Sequence, residues 1–244
     1  MELQGSTVLI TGGARRVGRH VGRRLAERGA NIVINFRASA AEAQAACAEF
    51  EALGVGALAV QADVSTAPGV QSVLNAARAR FGAIEVLVNN ASIYGRSPLA
   101  QVTEADWLNN INVNLLGPCY GCWLVGLHMR ERGRGKIINI ADWAVDRPYV
   151  DYAPYFVAKG GVVALTKVMA KELAPQVTVN AIAPGPILMP PDFDAATVTA
   201  VERAVPLGRI GSPEDIAQTI IYLVEGTDFV TGAVIPVDGG RRVS

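Results

Sequence analysis

Apolar residues recur along this chain in short runs: TVLIT (7–11), NIVINF (31–36), ALAVQ (57–61), IEVLVNN (84–90), KIINI (136–140), VTVNAIA (177–183) and AVIPVDG (233–239). Most are rich in Val and Ile and lack a clean alternation of apolar and polar positions. That pattern predicts strands buried on both faces of a parallel sheet. Longer segments of helical character lie between them. Residues 39–53 are rich in Ala and Glu, residues 69–81 follow Pro68 as a helix start, and residues 155–174 stop before Pro175. Strand and helix alternate over the whole length, with no repeat, linker or low-complexity tract. The expected fold is α/β: a single Rossmann-like domain over residues 1–244, with a doubly wound parallel sheet of about seven strands and helices on both faces.

Residues 107–129 carry no formal charge but include Asn109, Asn110, Asn112, Asn114, Gly117 and Pro118. Those groups are costly in lipid, so a helix buried against another subunit is expected there rather than a membrane span.

Composition narrows this picture. Half of the 244 residues are hydrophobic and 18% are charged, which is enough apolar material for a sizeable core. Lys and Arg number 22, as do Asp and Glu, so the formal net charge is zero. A basic nucleic-acid footprint is therefore not expected. Cys47, Cys119 and Cys122, with His20 and His128, argue against a disulfide framework or a multi-His metal site. The opening MELQGSTVLITGG has no basic n-region and no cleavage site, so a cytoplasmic location is expected.

TVLITGGARRVGRHVGRRLAERGANIVINF reads as strand, glycine turn, helix, strand. Gly12 and Gly13 let the backbone pass close to a pyrophosphate, and Gly18 opens the helix and permits close packing. The helix N-terminus offers free N–H groups and a positive dipole end. A turn needed for packing alone is the competing reading. An NAD site would place Asp or Glu after the second strand, against the ribose 2′-OH. This strand ends instead in Asn35-Phe36-Arg37-Ala38-Ser39. Arg37 and Ser39 suit a 2′-phosphate, and Arg15 and Arg16 add positive charge, so NADPH (NADP when oxidised) is the expected cofactor. A merely solvated arginine face is the alternative.

Tyr155 and Lys159 are four residues apart and share one helix face. A phenol ordinarily titrates near ~10, and a nearby ammonium is expected to lower that value. Tyr155 could then hand a proton to the atom next to the one receiving hydride.

Together these residues resemble the short-chain dehydrogenase/reductase family over essentially the whole sequence. TGGARRVG (11–18) is similar to the family's glycine motif, with Arg16 in place of the central Gly. The resemblance implies dinucleotide contacts from Gly12, Arg15, Arg16, Val17 and Gly18, and from Arg37 and Ser39. It adds Asp63 and Val64 in QADV, and Asn90, Ala91 and Ser92 in NNAS (89–92). It also adds Tyr155, Lys159, and Pro184, Gly185 and Ile187 in PGPI (184–187). Met189 stands about where the family commonly has Thr. TGAVIPVDGG (231–240) is similar to the usual family ending. Asn114, Tyr155 and Lys159 are the implied catalytic residues, and a homotetramer is implied, with segments 107–129 and 155–174 at subunit contacts.

The family's remaining catalytic position, usually Ser, is Asp142. With Arg16, TGGARR, FRASAAEA, NASIYGRSPL, Tyr152 and the tail DGGR, it resembles the pteridine reductase branch, which includes bacterial dihydromonapterin reductases. There an aromatic ring stacks on the pterin, and Tyr94 occupies the matching place. A carboxylate beside a developing oxyanion repels it. Reduction of a pterin C=N bond adds hydride to carbon and a proton to nitrogen, and the ring's N–H donors suit an acceptor. Burial would raise the Asp142 pKa so that it acts as an acid.

The leading expectation is therefore an NADPH-dependent reductase of a dihydropterin or dihydrofolate. Tyr155 is its proton donor, assisted by Lys159 and Asp142, and Tyr94, Asp142 and Tyr155 meet the substrate. The alternative is a reductase of ketones or 3-oxoacyl groups on the same fold, with Asp142 capping a turn after the fifth strand and Tyr94 only lining the pocket. A cofactor-binding protein without turnover is the third reading, against which Tyr155, Lys159 and Asn114 argue. Residues 186–212, rich in Pro and short polar side chains, are expected to form a substrate lid.

Other features carry less chemistry. Cys119-Tyr-Gly-Cys122 lies inside the apolar run without a zinc-like partner set and is expected in the core or an interface. His128 is expected as a satisfied surface His. Glu214-Asp215 fits a helix first turn and Asp192/Asp194 a loop. Trp143 is equally consistent with facing the pocket or away from it.

Overall fold

The computed structural model describes residues 1–189 and 194–244. Each apolar run of the sequence holds one strand: β1 Thr7–Ile10, β2 Asn31–Phe36, β3 Ala57–Gln61, β4 Val86–Asn89, β5 Gly135–Ile140, β6 Val177–Pro184 and β7 Val234–Val237. They form one sheet in the order β3-β2-β1-β4-β5-β6-β7. Every neighbouring pair is parallel. The missing alternation has a direct cause. Val8 and Ile10 point into one core while Leu9 points into the other, and Val86 and Val88 likewise oppose Leu87. Both faces are apolar because both are covered.

Helices α1 (Arg16–Ala26) and α2 (Ala40–Glu51) lie on the first face, where Leu25 and Phe50 pack with Val8 and Ile10. Helix α3 (Ala67–Phe81) begins with the Thr66 hydroxyl accepting from the Gly69 N–H, with Pro68 in its first turn. It lies on the second face with α4 (residues 104–131) and α5 (Ala153–Glu172), through Leu74, Met129 and Leu173. After β6 come α6 (Ala195–Arg203) and α7 (Pro213–Ile221). Asp215 completes a capping box with Ser212 at the start of α7, and Asp194 caps α6 by accepting from the Thr197 N–H. These two acids are helix caps; Asp192 lies outside the described residues.

Helix α4 departs from the regular helix expected of an apolar run. Its α-helical pieces Glu104–Ile111, Gly117–Tyr120 and Gly126–Glu131 are joined by π-helical turns at Asn112–Leu116 and Gly121–Val125. Such turns frequently mark functional positions. The first carries Asn114, which is fully buried. The helix also rides unusually close to the sheet. A Cβ built on Gly121 would lie 2.5 Å from Asn89 Oδ1. Cys122 is buried beside it, accepting from Asn89 Nδ2 and donating to Asn139 Oδ1. Burial pushes its thiol up to about 12 and also raises Cys119, which fits the core role expected for this pair.

The expectation of a surface His128 is corrected. His128 is buried, and its Nε2 accepts from the Ile84 N–H at 3.4 Å, because the end of α4 lies across the approach to β4. Burial, with Arg78 and Arg132 nearby, lowers its pKa and favours the neutral ring. Among the described residues no cluster of His, Cys, Asp and Glu is arranged to hold a metal, and no helix is long and apolar enough to cross a membrane.

Asn89 Nδ2 donates to Asn139 Oδ1 at 2.8 Å, and Asn139 Nδ2 to Thr166 Oγ1 at 3.0 Å, which ties β4, β5 and α5 into one buried network. Asn89 therefore cannot yield to a larger neighbour. Gly121→Val is expected to lower stability by about 2–3 kcal/mol through overpacking, read as a reduced urea midpoint with unchanged slope.

Candidate active site

The strand order reverses between β1 and β4, and the carboxyl ends of β1 to β4 enclose a cleft of about 440 Å³. Such switch points are where open α/β sheets bind ligands. The cleft is built to approach an anion closely. Gly12 has φ +64°, a conformation that side-chain residues rarely adopt, and a Cβ on Gly18 would lie 2.8 Å from both Asn90 Nδ2 and Gly12 O. Among the described residues no side chain caps the N-terminus of α1, and its first turn holds no acid. Its free N–H groups and positive dipole end therefore face the cleft without competition. Thr11 fastens the opposite wall: its hydroxyl accepts from the backbone N–H groups of Asn90 and Ala91 at 3.0 Å. A nicotinamide dinucleotide fits this cradle.

Of the residues expected to hold it, Gly12, Arg15, Arg16, Val17, Gly18, Arg37, Ser39, Asp63, Val64, Asn90, Ala91 and Ser92 line the cleft. The sequence reading missed Ile93 and Val113, which line it as well. Neither carries a chemical signal that would have singled it out. The Asp63 carboxyl is held below the usual range, chiefly by the Ser65 hydroxyl that donates to it at 2.6 Å.

Pro184, Gly185 and Ile187 stand at and just after the end of β6, beyond this wall, as do Tyr155 and Lys159 on α5. Ile187 lines a separate 390 Å³ cavity with Leu207 and Asp238. Gly185 donates its N–H to Val237 O at 2.9 Å, which pairs the segment with β7. Arg16 also behaves differently from an unengaged anion ligand. It stands at φ +51°, and its guanidinium donates to Leu188 O at 3.0 Å. It thereby links the glycine turn to the start of the expected lid. Of that lid, residues 190–193 lie outside the described residues, and α6 occupies part of the remainder.

The reactive groups meet beyond the end of β5. The Tyr155 hydroxyl donates to Asp142 Oδ2 at 2.8 Å. Asp142 Oδ1 accepts from the Ala144 N–H at 2.8 Å, so the carboxyl caps the 3-10 turn Trp143–Val145 and holds the phenol at once. Lys159 is 3% exposed and donates to Ile140 O at 2.7 Å, with its Nζ 5.8 Å from the centre of the Tyr155 ring.

The electrostatics correct one expectation. The Tyr155 hydroxyl is not lowered by Lys159. Burial first, then the charge and hydrogen bond of Asp142, push it well above the ordinary phenol value. The carboxyl touches the hydroxyl and the ammonium does not. Burial also raises Asp142, opposed by the Ala144 N–H, Tyr155 and Lys159. It lowers Lys159 to about 8, opposed by Asp142. The phenol and the acid both tend to keep their protons, as a proton-donating pair must.

Asn114 touches neither group. Its Oδ1 accepts from the Ser92 hydroxyl and the Ile93 N–H, and its Nδ2 donates to Ile93 O and Asn110 Oδ1. In this arrangement Asn114 holds the loop after β4.

That loop carries Tyr94, whose ring stacks on Tyr152 at 4.7 Å and 11° and meets Tyr155 edge-on at 5.0 Å. The Tyr94 and Tyr149 hydroxyls share a hydrogen bond of 2.8 Å. Arg96 donates to Asp151 Oδ2 at 2.6 Å, pinning the two loops together. Tyr94 is thus brought to the reactive phenol as expected, but one ring face is already filled by Tyr152. Trp143 faces the other way, under the Arg241 guanidinium at 5.2 Å.

A family model described as enoyl-(acyl carrier protein) reductase matches residues 12–242. The chain is 37% identical over 249 residues to 3beta-hydroxysteroid dehydrogenase 1 of Eggerthella lenta, covering 99% of this chain and 95% of the relative. It is 36% identical over 241 residues to the 3-oxoacyl-(acyl-carrier-protein) reductase FabG of Staphylococcus aureus, covering 96% and 97%. Levodione reductase superposes with TM-score 0.92 at 31% identity, covering 99% of each chain. A mutant Serratia marcescens short-chain dehydrogenase/reductase does so with TM-score 0.92 at 32% identity, covering 99% of this chain and 100% of the other.

Tyr155→Phe removes the hydroxyl without touching the cleft. It is expected to cut nicotinamide turnover by about 10²–10⁴-fold while fluorescence titration shows dinucleotide affinity unchanged. Retained turnover would mean that the proton comes from another group.

Proposed function

The chain belongs to the short-chain dehydrogenase/reductase family and is a nicotinamide-dependent oxidoreductase, and from that premise we propose that it interconverts a ketone and a secondary alcohol with NADPH. The observation that carries this reading is the buried Tyr155 hydroxyl, protonated and hydrogen-bonded to Asp142 at 2.8 Å, beyond the nicotinamide end of the dinucleotide cleft. The dinucleotide supplies the hydride. Tyr155 gives its proton to the substrate oxygen as charge develops there, and Lys159 supplies fixed positive charge behind the phenol. Asp142 is compatible with this chemistry only in its acid form. A carboxylic acid donates a hydrogen bond to the oxygen as a hydroxyl would, whereas a carboxylate repels it. Burial favours the acid form.

The named activities of the relatives reverse the ranking that Asp142 suggested from sequence alone. A 3β-hydroxysteroid dehydrogenase, a 3-oxoacyl reductase and levodione reductase lend their support to carbonyl chemistry. Pteridine reduction stays as the second reading because of one specific arrangement: an acid bonded to the proton donor beneath the stacked Tyr94 and Tyr152 rings. The proposal also carries the cytoplasmic location and the homotetramer of the family resemblance. Exposed Leu108, Trp123, Val157 and Val168 on α4 and α5 are apolar positions that a second copy would cover.

A panel with NADPH separates the readings. A cyclic ketone or a 3-oxoacyl thioester is expected to be reduced with higher kcat/KM than dihydrobiopterin, and Asp142→Ser is expected to weaken pterin reduction more than ketone reduction. Faster pterin turnover, lost in Asp142→Ser, would install the second reading instead.

The preference for NADPH rests on Arg37, Ser39 and Arg15 around the cleft, with Arg15 3.5 Å from Glu42. Arg37→Asp exchanges a phosphate donor for a ribose acceptor. It is expected to move the NADPH/NADH ratio of kcat/KM toward NADH by roughly 10- to 100-fold, the worth of a charge-assisted hydrogen bond.

A further inference from the structure

We propose that Asp142 is the inner end of a second proton path, which reaches Tyr155 from the protein surface on the side away from the dinucleotide cleft. The path runs through a cavity of about 290 Å³ lined by Asp142, Asp146, Val163, Lys167 and Arg242 among others. None of its described lining residues lines the dinucleotide cleft. Asp142 thus has two settings: its Oδ2 meets the Tyr155 hydroxyl, and the residue also lines a cavity shared with Asp146, Lys167 and Arg242. The inference extends the proposed function, since it concerns how the proton donor of that reaction is recharged.

Tyr155 needs such a route. It is 6% exposed, Tyr94 stands edge-on against it, and Asp142 is the hydrogen-bond partner of its hydroxyl. Lys159 spends a hydrogen on Ile140 O. The cavity is large enough to hold several waters. Asp146, Lys167 and Arg242 supply polar groups to order them. Asp146 and Arg242 form an ion pair at 3.2 Å, and Arg241 covers Trp143.

The proton accounting closes. The carbonyl π bond breaks as its carbon takes the hydride into a new C–H bond, and the pair left on oxygen forms the O–H bond as the Tyr155 O–H bond breaks. The phenolate then takes the proton of the Asp142 carboxyl. The resulting carboxylate takes one from cavity water, which is replenished by solvent. One solvent proton is consumed per turnover, and alcohol oxidation runs the same steps backward.

The groups that bear on Asp142 are the Ala144 N–H, Tyr155 and Lys159, with Tyr149 nearby, while Asp146, Lys167 and Arg242 share its cavity. Burial raises Asp142, so its acid form is present at low pH and is lost as pH rises through that raised value. Reduction is expected to fall with it.

Difference infrared spectroscopy of the enzyme without added substrate tests the path directly. A buried-carboxyl band is expected that titrates, is missing in Asp142→Asn, and moves to higher pH by about one unit in Lys167→Glu, where a cation at the cavity becomes an anion. The basic limb of kcat is expected to move with it. Lys167 is exposed, so the variant should fold, and Lys167→Met is expected to give a smaller shift in the same direction. A band that Lys167→Glu leaves in place would disconnect Asp142 from the cavity. A band that survives in Asp142→Asn would assign the proton elsewhere. Either result overturns the path without touching the proposed reaction, whose own failure would appear as no turnover across the substrate panel.

Discussion

The organising constraint of this molecule is the burial of a phenol, a carboxyl and an ammonium together past the end of one strand. Each alone would be expensive to remove from water. Here the expense is reduced by sharing. Tyr155 donates to Asp142, Asp142 also takes the Ala144 N–H, and Lys159 donates to the Ile140 carbonyl. What remains unbalanced appears as altered proton affinity: Tyr155 and Asp142 are raised, and Lys159 is lowered to about 8. Tyr155 and Asp142 are thereby driven toward their neutral forms, while Lys159 holds its proton less tightly than a free ammonium does. A site that must release a proton onto a substrate and then recover it benefits from that state.

The rest of the fold holds this cluster against the cofactor cleft. A parallel sheet gathers all its carboxyl ends on one edge, so β1 to β4 form the cleft while β5 delivers Asp142 beside it. Helix α5 carries Tyr155 and Lys159, and its register on the sheet is set by Thr166, bonded to Asn139, which is bonded in turn to Asn89. The π turn of α4 turns Asn114 inward to grip the loop that carries Ser92 and Tyr94. Buried polar networks of this kind rigidify when every member is satisfied. Among the described residues, no buried side-chain nitrogen or oxygen is left without a partner.

Much of this was legible in the residues. The Val- and Ile-rich runs mark all the strands because burial on both faces leaves a one-letter trace. The glycine turn and the Tyr155–Lys159 spacing mark both ends of the site because local geometry dictates them. What escaped depends on distant parts of the chain. Tyr94 meets Tyr152 and Tyr149 across loops that no periodicity connects. The π turns of α4 leave the apolar pattern of an ordinary helix intact. Asn114 could be named from the resemblance, but its partners Ser92 and Ile93 in the loop after β4 could not. The pairing of Pro184 and Gly185 with β7 likewise joins segments far apart along the chain. The direction of the Tyr155 shift was misjudged for a similar reason. Sequence shows that Lys159 is near, but only coordinates show that Asp142 is nearer.

That last point bears on what an acid in place of a hydroxyl means. A Ser at position 142 could donate to a substrate oxygen at any ordinary pH, without the desolvation cost of a carboxyl. Keeping Asp there sacrifices that generality, because the group assists an oxyanion only while protonated. The exchange makes physical sense if proton transfer itself is what Asp142 provides. A hydroxyl can relay a proton but cannot store one, whereas a buried acid stores one within 2.8 Å of the phenol that spends it. Storage serves a carbonyl oxygen and a ring nitrogen alike. On the proposed path Asp142 bears on how the site is supplied with protons more than on which heteroatom receives them, and the packed rings of Tyr94, Tyr149 and Tyr152 are the groups left beside it to meet a substrate.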